Sequence, residues 1–445
     1  MCRKNPTLFS SRLGRLIFYK DVEPLRVTIT QLNSSGEGMA ATEGGETVLV
    51  PFVLPGEVVE VSLDPASVRS AVRRGRLEKI VTTSPHRQVP PCPYFGRCGG
   101  CQLQHLDPAF YKAYKKELVA EAFQAHKLET PLLDPVVFGP GVRRRINFKV
   151  TKQQTKILLG YHQRRSHEVL DIDHCPLLLP DFNHLLAPLK EALRSCLMEK
   201  EEANIFLTKV QNGFEGAIVF ESPKKLSLSQ IEALTTWAIQ HQVIRLMAQS
   251  SKGEELLVHQ ASPHVDFSGV SVLFPPHAFL QTSEAAEAHM VKIVLSLLPP
   301  SAKRVADLFS GLGTFSFPLA GHAAVEAFDG DLKAVQYLNL SAQHNKLPHL
   351  LRATQRDLFK YPVSSEELKA YDAVILDPPR AGAVNQIKQL MGSSIETILM
   401  VSCNANTFAR DAHLLVKSGY KMNETHLVDQ FLWSPHMELI SSFSR

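Results

Sequence analysis

The stretch VADLFSGLGTFSFPLA, residues 305–320, decides the fold. It begins as an apolar, β-like run carrying an acidic residue, Asp307, near its end, then turns at Gly311 and Gly313 into a second apolar segment. A strand, a glycine turn and a helix make half of a βαβ unit, and glycines there let a ligand approach the backbone. The spacing is not the G-x-G-x-x-G of dinucleotide binders, so the turn alone equally suits a tight strand-to-helix connection. Working outward, AAVEAFD (323–329), YDAVILD (371–377) and TILMVSC (397–403) repeat the theme, separated by helix-like sequence. This alternation predicts an α/β, doubly wound Rossmann-like domain over residues 266–445.

Upstream the pattern changes. Residues 24–83 hold short alternating runs, LRVTITQL, ETVLVPFVL and EVVEVSL, separated by glycine turns, and predict a small β-barrel. Residues 84–265 open on SPHRQVPPCPYFGRCGGCQLQHLDP, which is rich in Pro, Gly and Cys without periodicity, and continue as a helix over 108–127 and a mixed α/β region. A segment with so little apolar periodicity needs ordering by something other than a core, and a metal centre would do that. Cys92, Cys98 and Cys101 form C-x5-C-x2-C, with Cys175 of DIDHCPLL as a distant fourth thiolate. Four thiolates suit zinc and a [4Fe–4S] cluster alike. Cys2 and Cys196 have no partner motif and read as structural, and His105, His174 and His436 read as hydrogen-bonded rather than ligating.

Composition narrows the class. The chain has 445 residues, 44% hydrophobic and 21% charged, which describes a globular protein of two or three domains. No apolar run reaches the roughly 20 residues of a membrane-spanning helix. Residues 1–23 form a basic tail without the apolar stretch of a secretory signal, so a reducing, cytoplasmic compartment is expected. Net charge is only +4, but RSAVRRGR (69–76), RRR (143–145) and RR (164–165) concentrate basic residues in the first half; such runs serve as solvated faces or as contacts to an RNA backbone.

Ligands of open α/β sheets lie outside the carboxyl ends of the strands, so the residues there are the candidates for chemistry. Asp329 and Asp331 close the second strand; an acidic side chain there, Asp329 rather than Asp331, could accept two hydrogen bonds from ribose hydroxyls, and a helix N-cap role suits one of the pair equally well. Asp357 of QRDLF could meet an adenine amino group or be a surface-loop carboxylate. ILDPPRAG (375–382) places Asp377 at a strand end where two prolines stiffen the backbone. Cys403, in MVSCNANTFARD (400–411), is either a small buried filler or a nucleophile at the edge of the sheet.

Taken in order, DLFSGLGTF, LDPPRAG and SCNANTFARD resemble the S-adenosylmethionine-dependent RNA uracil-5-methyltransferases, in particular the iron–sulfur-containing branch that modifies 23S ribosomal RNA. The resemblance runs from residue 25 to the end. It implies an N-terminal RNA-binding barrel of the TRAM type, OB-like in size, a central α/β domain with a [4Fe–4S] cluster on Cys92, Cys98, Cys101 and Cys175, and a C-terminal methyltransferase domain on which the helix at 108–127 packs. It further implies Cys403 as nucleophile, Glu438 of FLWSPHME as proton-abstracting base and Asp377 at the junction of uracil and cofactor. S-adenosylmethionine would meet Gln281 of AFLQTSEAAE, Phe309, Thr314, Asp329, Asp357 and Asp377. The expected partner is an RNA, a 23S rRNA loop with a flipped-out uridine, and the expected state a monomer. The chain departs from the family pattern at Ala405 for proline, Leu432 for proline, Ser434 for threonine and Ser283 for asparagine. Two other readings of the residues are an exocyclic-amine methyltransferase, which would need neither Cys403 nor Glu438, and a non-catalytic RNA-binding assembly factor.

Overall fold

The computed structural model describes residues 24–64 and 72–445, so the basic tail, Cys2 and Arg69 lie outside the described residues. Contacts divide the chain once, after Arg87.

The first unit is a six-stranded β structure in which alternation of apolar and polar residues puts one side of each strand inward. Val27, Ile29, Val48, Val50, Val59 and Val61 form most of its core. The long strand Val72–Thr82 pairs with both Thr47–Pro51 and Val58–Leu63, and register shifts along it bend the sheet. Of the basic run here, Arg73 pairs with Glu46 and Arg76 with Glu78, while Arg74 is exposed.

The second unit contains two large sheets. The first has six strands in the spatial order 253–259, 243–250, 213–220, 202–210, 145–153 and 156–160, covered by helices Pro180–Leu193 and Leu228–Gln240. The second has eight strands. Its order begins 351–355, 324–329, 304–308, then reverses to 373–376 and 397–402 and continues through 438–444, 421–429 and the short 136–137. The first five strands are mutually parallel and nearly continuous apolar runs, as expected of strands buried on both faces. Strand order switches direction between Arg304–Leu308 and Ala373–Leu376, which opens a crevice at their carboxyl ends.

Strand Glu438–Ser444 is antiparallel to Thr397–Ser402, with Ser402 opposite Leu439. This reversal brings the start of a strand to the edge where the others end. Helix Pro108–Ala125 packs on helix Ala405–Lys417 through stacked Phe123 and Phe408 rings 5.8 Å apart. Its first turn is fixed by Pro108 and by Asp107, whose carboxylate accepts from the Ala109 and Phe110 amides.

Candidate active site

The carboxyl ends of the parallel strands deliver five of the sequence-predicted residues to one edge: Phe309, Asp329, Asp357, Asp377 and Cys403. Glu438 joins them from the opposite direction as the first residue of the antiparallel strand.

Cys403 is half-buried and hydrogen-bonded to the guanidinium of Arg380. Burial pushes its thiol up to about 11; the charges of Glu438 and Asp377 add to the rise and Arg380 opposes it. Glu438 is 3% exposed. Burial raises its carboxyl to about 7, against a hydrogen bond from Gln430 and the charge of Arg380. Asp377 is held well above the usual carboxylate range by burial and by Glu438. Three acidic groups thus lie close together beside Arg380, Glu438 raising Asp377 and both raising Cys403, and Glu438 is the one suited to moving a proton near neutral pH.

Arg380 follows the two prolines of the Asp377 loop. Its carbonyl accepts from Thr407 Oγ1 at 3.1 Å, so the helix after Cys403 grips the loop that carries the cation. Two residues on, Gly382 has φ +77°, and a Cβ there would stand 2.3 Å from Arg410 Nη2 and 2.6 Å from Asp411 Oδ2. Only glycine lets the loop lie this close to the helix. Sequence reasoning singled out Asp377 in this motif and passed over Arg380, although a cation three residues after a candidate strand-end carboxylate was a readable signal.

Gln430 was not legible at all. Its Nε2 donates to Glu438 Oε1 at 2.8 Å and to Gln281 Oε1 at 2.6 Å, and its Oε1 accepts from the Thr282 amide at 3.1 Å and the Thr282 hydroxyl at 3.0 Å. One buried amide thus ties Glu438 to Gln281, two residues far apart in sequence.

On the other side of the crevice the glycine turn is held by Asp329. Its Oδ2 accepts from the Gly311 amide at 2.8 Å and its Oδ1 from the Asp331 amide at 2.7 Å. Asp331 caps helix Leu332–His344 through Oδ1, so the capping role left open for this pair falls to Asp331. Phe309 has φ +64°, uncommon for a bulky residue, and its ring lies 5.4 Å from that of Phe359. Thr314 is half-buried in the turn, and Asp357 is held by the Phe359 and Lys360 amides. Asp307 points inward: it is fully buried, bonded to Ser316 Oγ at 2.5 Å, and raised to about 7 by burial.

The four cysteines of the central region converge. Cys92, Cys98, Cys101 and Cys175 line one cavity of about 180 Å³ together with Gln104, Arg143 and Tyr161. None of the four is in a disulfide. Burial pushes Cys101 up to about 12 and Cys175 up to about 11, and in each case the other cysteines add to the rise. The Gly100 amide donates to Cys98 Sγ at 3.4 Å, and the Gln104 side chain reaches Cys101. Among the described residues no group of three or more His, Cys, Asp or Glu side chains is arranged to hold one metal ion. Cys196 is buried and bonded to the Ala192 carbonyl, well placed as a filler.

The arginine run 143–145 is largely interior. Arg144 is 4% exposed; it pairs with Glu287 at 2.7 Å and donates from Nε to the Gln281 carbonyl, and Arg145 donates to the Leu280 carbonyl. These two cations position the segment that carries Gln281, a role in neither a solvated face nor a nucleic-acid surface.

The departures from the family pattern have local explanations. Ser283 caps helix Glu284–Leu297 by accepting from the Ala286 amide, as asparagine would. Ser434 keeps a hydroxyl that donates to the Phe431 carbonyl at 2.8 Å. Ala405 opens a helix already capped by Asn404. Nothing in the structure explains Leu432.

The family model described as tRNA (uracil-5-)-methyltransferase matches residues 139–442, and the TRAM domain model matches residues 21–71. An RNA methyltransferase of Rhizobium meliloti (strain 1021), itself uncharacterized, is 37% identical over 94% of this chain and 99% of its own length. The 23S rRNA (uracil(1939)-C(5))-methyltransferase of Yersinia enterocolitica is 30% identical over 95% of each chain. In fold, the chain resembles the crystal structure of Pyrococcus abyssi tRNA (uracil-54, C5)-methyltransferase in complex with S-adenosyl-L-homocysteine, with a TM-score of 0.71 at 23% identity over 94% of this chain and 99% of that one.

Proposed function

We propose that this chain, which belongs to the tRNA (uracil-5-)-methyltransferase family and carries a TRAM domain, methylates C5 of a uridine in 23S ribosomal RNA through a covalent adduct on Cys403. The observation that carries the mechanism is the meeting of Cys403, Glu438, Asp377 and Arg380 in one desolvated pocket. The rRNA target is supported by the likeness to the Yersinia enzyme over nearly the full length of both chains.

Uracil C5 is a poor nucleophile, and temporary addition at C6 is the remedy. The Cys403 thiolate forms a bond to C6, and the C5–C6 π electrons move onto the C4 carbonyl as an enolate. C5 then takes the methyl group of S-adenosylmethionine, whose sulfur leaves with the electron pair of the broken bond. Glu438 removes the C5 proton; the double bond re-forms and expels the Cys403 thiolate. The resting thiol, pushed up by burial and then by its acidic neighbours, relies on Arg380 to favour the charged form. Asp377 positions the uracil edge. Asp329, Phe309, Thr314, Asp357 and Gln281 bind the methyl donor. A uridine must leave its stack to reach Sγ, at a cost of about a few kcal/mol that favours loops over duplex.

Cys92, Cys98, Cys101 and Cys175 would hold a [4Fe–4S] cluster. Four thiols, Cys175 buried and the other three half-buried, lining one cavity of about 180 Å³ suit a multi-atom group better than one zinc ion, whose four ligands crowd within about 2.3 Å of it. Such a cluster would fasten distant parts of the chain together and take no part in methyl transfer.

The test is covalent trapping with rRNA fragments containing 5-fluorouridine, for wild type and Cys403→Ala, on a denaturing gel with S-adenosylmethionine present. A Cys403-dependent adduct on one fragment is expected. Absence of any adduct, from protein that binds S-adenosylmethionine, would sink the covalent mechanism and favour amine methylation.

A further inference from the structure

The turn that carries Glu438 is held from outside the sheet. It connects strand Lys421–Asp429 to strand Glu438–Ser444, with Val428 opposite Glu438. Within it Trp433 has φ +61°, a conformation a bulky residue keeps only where its surroundings impose it. The imposing contacts come from two segments. From helix Pro108–Ala125, Tyr111 Oη accepts from the Trp433 amide at 2.9 Å and donates to Asp429 Oδ2 at 2.5 Å. Lys115 Nζ donates to Asp429 Oδ1 at 3.1 Å, to the Ser434 carbonyl at 2.8 Å and to the His436 carbonyl, two residues before Glu438. From the cysteine-rich segment, the amides of Gln102 and Leu103, directly after Cys101, donate to the Trp433 carbonyl at 2.9 and 3.1 Å.

The side chains of Lys115 and Asp429 are both 0% exposed. A buried ion pair gains little stability over a well-packed apolar pair, so its use here points to geometry. All three protons of the ammonium are committed to the two ends and the middle of one turn. Among the described residues, the side-chain hydrogen bonds of Lys115 and Tyr111 run to this turn and not to Cys403, to the glycine turn or to the loop that carries Gln281.

We propose that Lys115, with Tyr111, is a positioning residue for Glu438, and that the cysteine-rich segment shares the same latch. The inference rests on the reading of Glu438 as the base. Attack by Cys403 and methyl transfer precede proton removal, so loosening the latch slows only the last step and strands the methylated RNA on the enzyme.

The experiment follows full-length, cluster-loaded protein through a single turnover with unmodified target RNA, measuring methyl incorporation and, on a denaturing gel, the surviving covalent adduct. Variants are Tyr111→Phe, which removes one hydroxyl, and the double change Lys115→Met with Asp429→Asn, which leaves no unpaired buried charge. Glu438→Gln is the internal standard. Expected are methyl transfer within about threefold of wild type, adduct release slowed about tenfold or more, and unchanged affinity for S-adenosylmethionine. If transfer and release fall together, or no adduct survives while Glu438→Gln traps one, the latch is refuted. If Glu438→Gln itself traps none, the assignment of the base fails and takes the latch with it.

Discussion

Replacing Gln430 by leucine should move the pH dependence of catalysis and leave its high-pH plateau in place. In the wild type Glu438 is raised to about 7 by burial, and the Gln430 hydrogen bond is the largest influence restraining that rise. A hydrogen bond to a charged group contributes about 1.5–3 kcal/mol, and about 1.4 kcal/mol corresponds to one pKa unit, so its loss raises the carboxyl by a further 1–2 units or so. A base half-ionised at pH 7 would then be about 10% to 1% ionised, a loss of about 5- to 50-fold that recovers as pH approaches 9. The assay is the single-turnover rate of adduct release between pH 6 and 9, with a thiol-independent control for RNA integrity. The Thr282 amide and Gln281 also lose a partner, at about 1–3 kcal/mol each, so S-adenosylmethionine affinity must be measured alongside. If the Gln430→Leu profile overlays that of the wild type, or the loss is equally deep at pH 6.5 and 9, Gln430 does not tune the base and the argument is wrong.

Three further outcomes are expected. Native Asp307 keeps its proton up to about 7 whereas the unfolded chain releases it near 3.8, so the folded state binds more protons in that window and stability falls as pH rises through it; Asp307→Asn should flatten the fall, by at most on the order of 4 kcal/mol, in urea unfolding at pH 5 and 7.5, and equal slopes would contradict this. Arg144→Met leaves Glu287 buried without its cation and should cost about 3–5 kcal/mol in denaturant unfolding, most of it regained when Glu287→Leu is added; no regain would mean the pair is not the cause. Asp329→Ala frees the Gly311 turn and should weaken S-adenosylmethionine binding about tenfold or more by calorimetry with RNA affinity unchanged, and a parallel loss of RNA binding would show a wider collapse.

The linear sequence determined a good deal on its own. Apolar runs with acidic or sulfur-bearing ends, alternating with helices, are a local property, so the parallel sheet and the residues at its carboxyl edge could be named from residues 303–403 alone. Asp329, Asp357, Asp377 and Cys403 occupy that edge because strand direction puts each strand end there. Tertiary structure decided what lies outside that logic. Glu438 reaches Cys403 only because its strand is antiparallel, a pairing that no periodicity reveals. Gln430, Arg144 and Lys115 are polar residues whose partners lie far along the chain, and nothing in their neighbours' composition distinguishes them from solvated side chains. The basic run at 143–145 misleads at Arg144 for the same reason: charge is a property of the residue, whereas burial belongs to the fold. The weakened acidities of Cys403, Glu438 and Asp377 exist only once desolvation and proximity are imposed together, which makes the site's chemistry a product of packing rather than of motif.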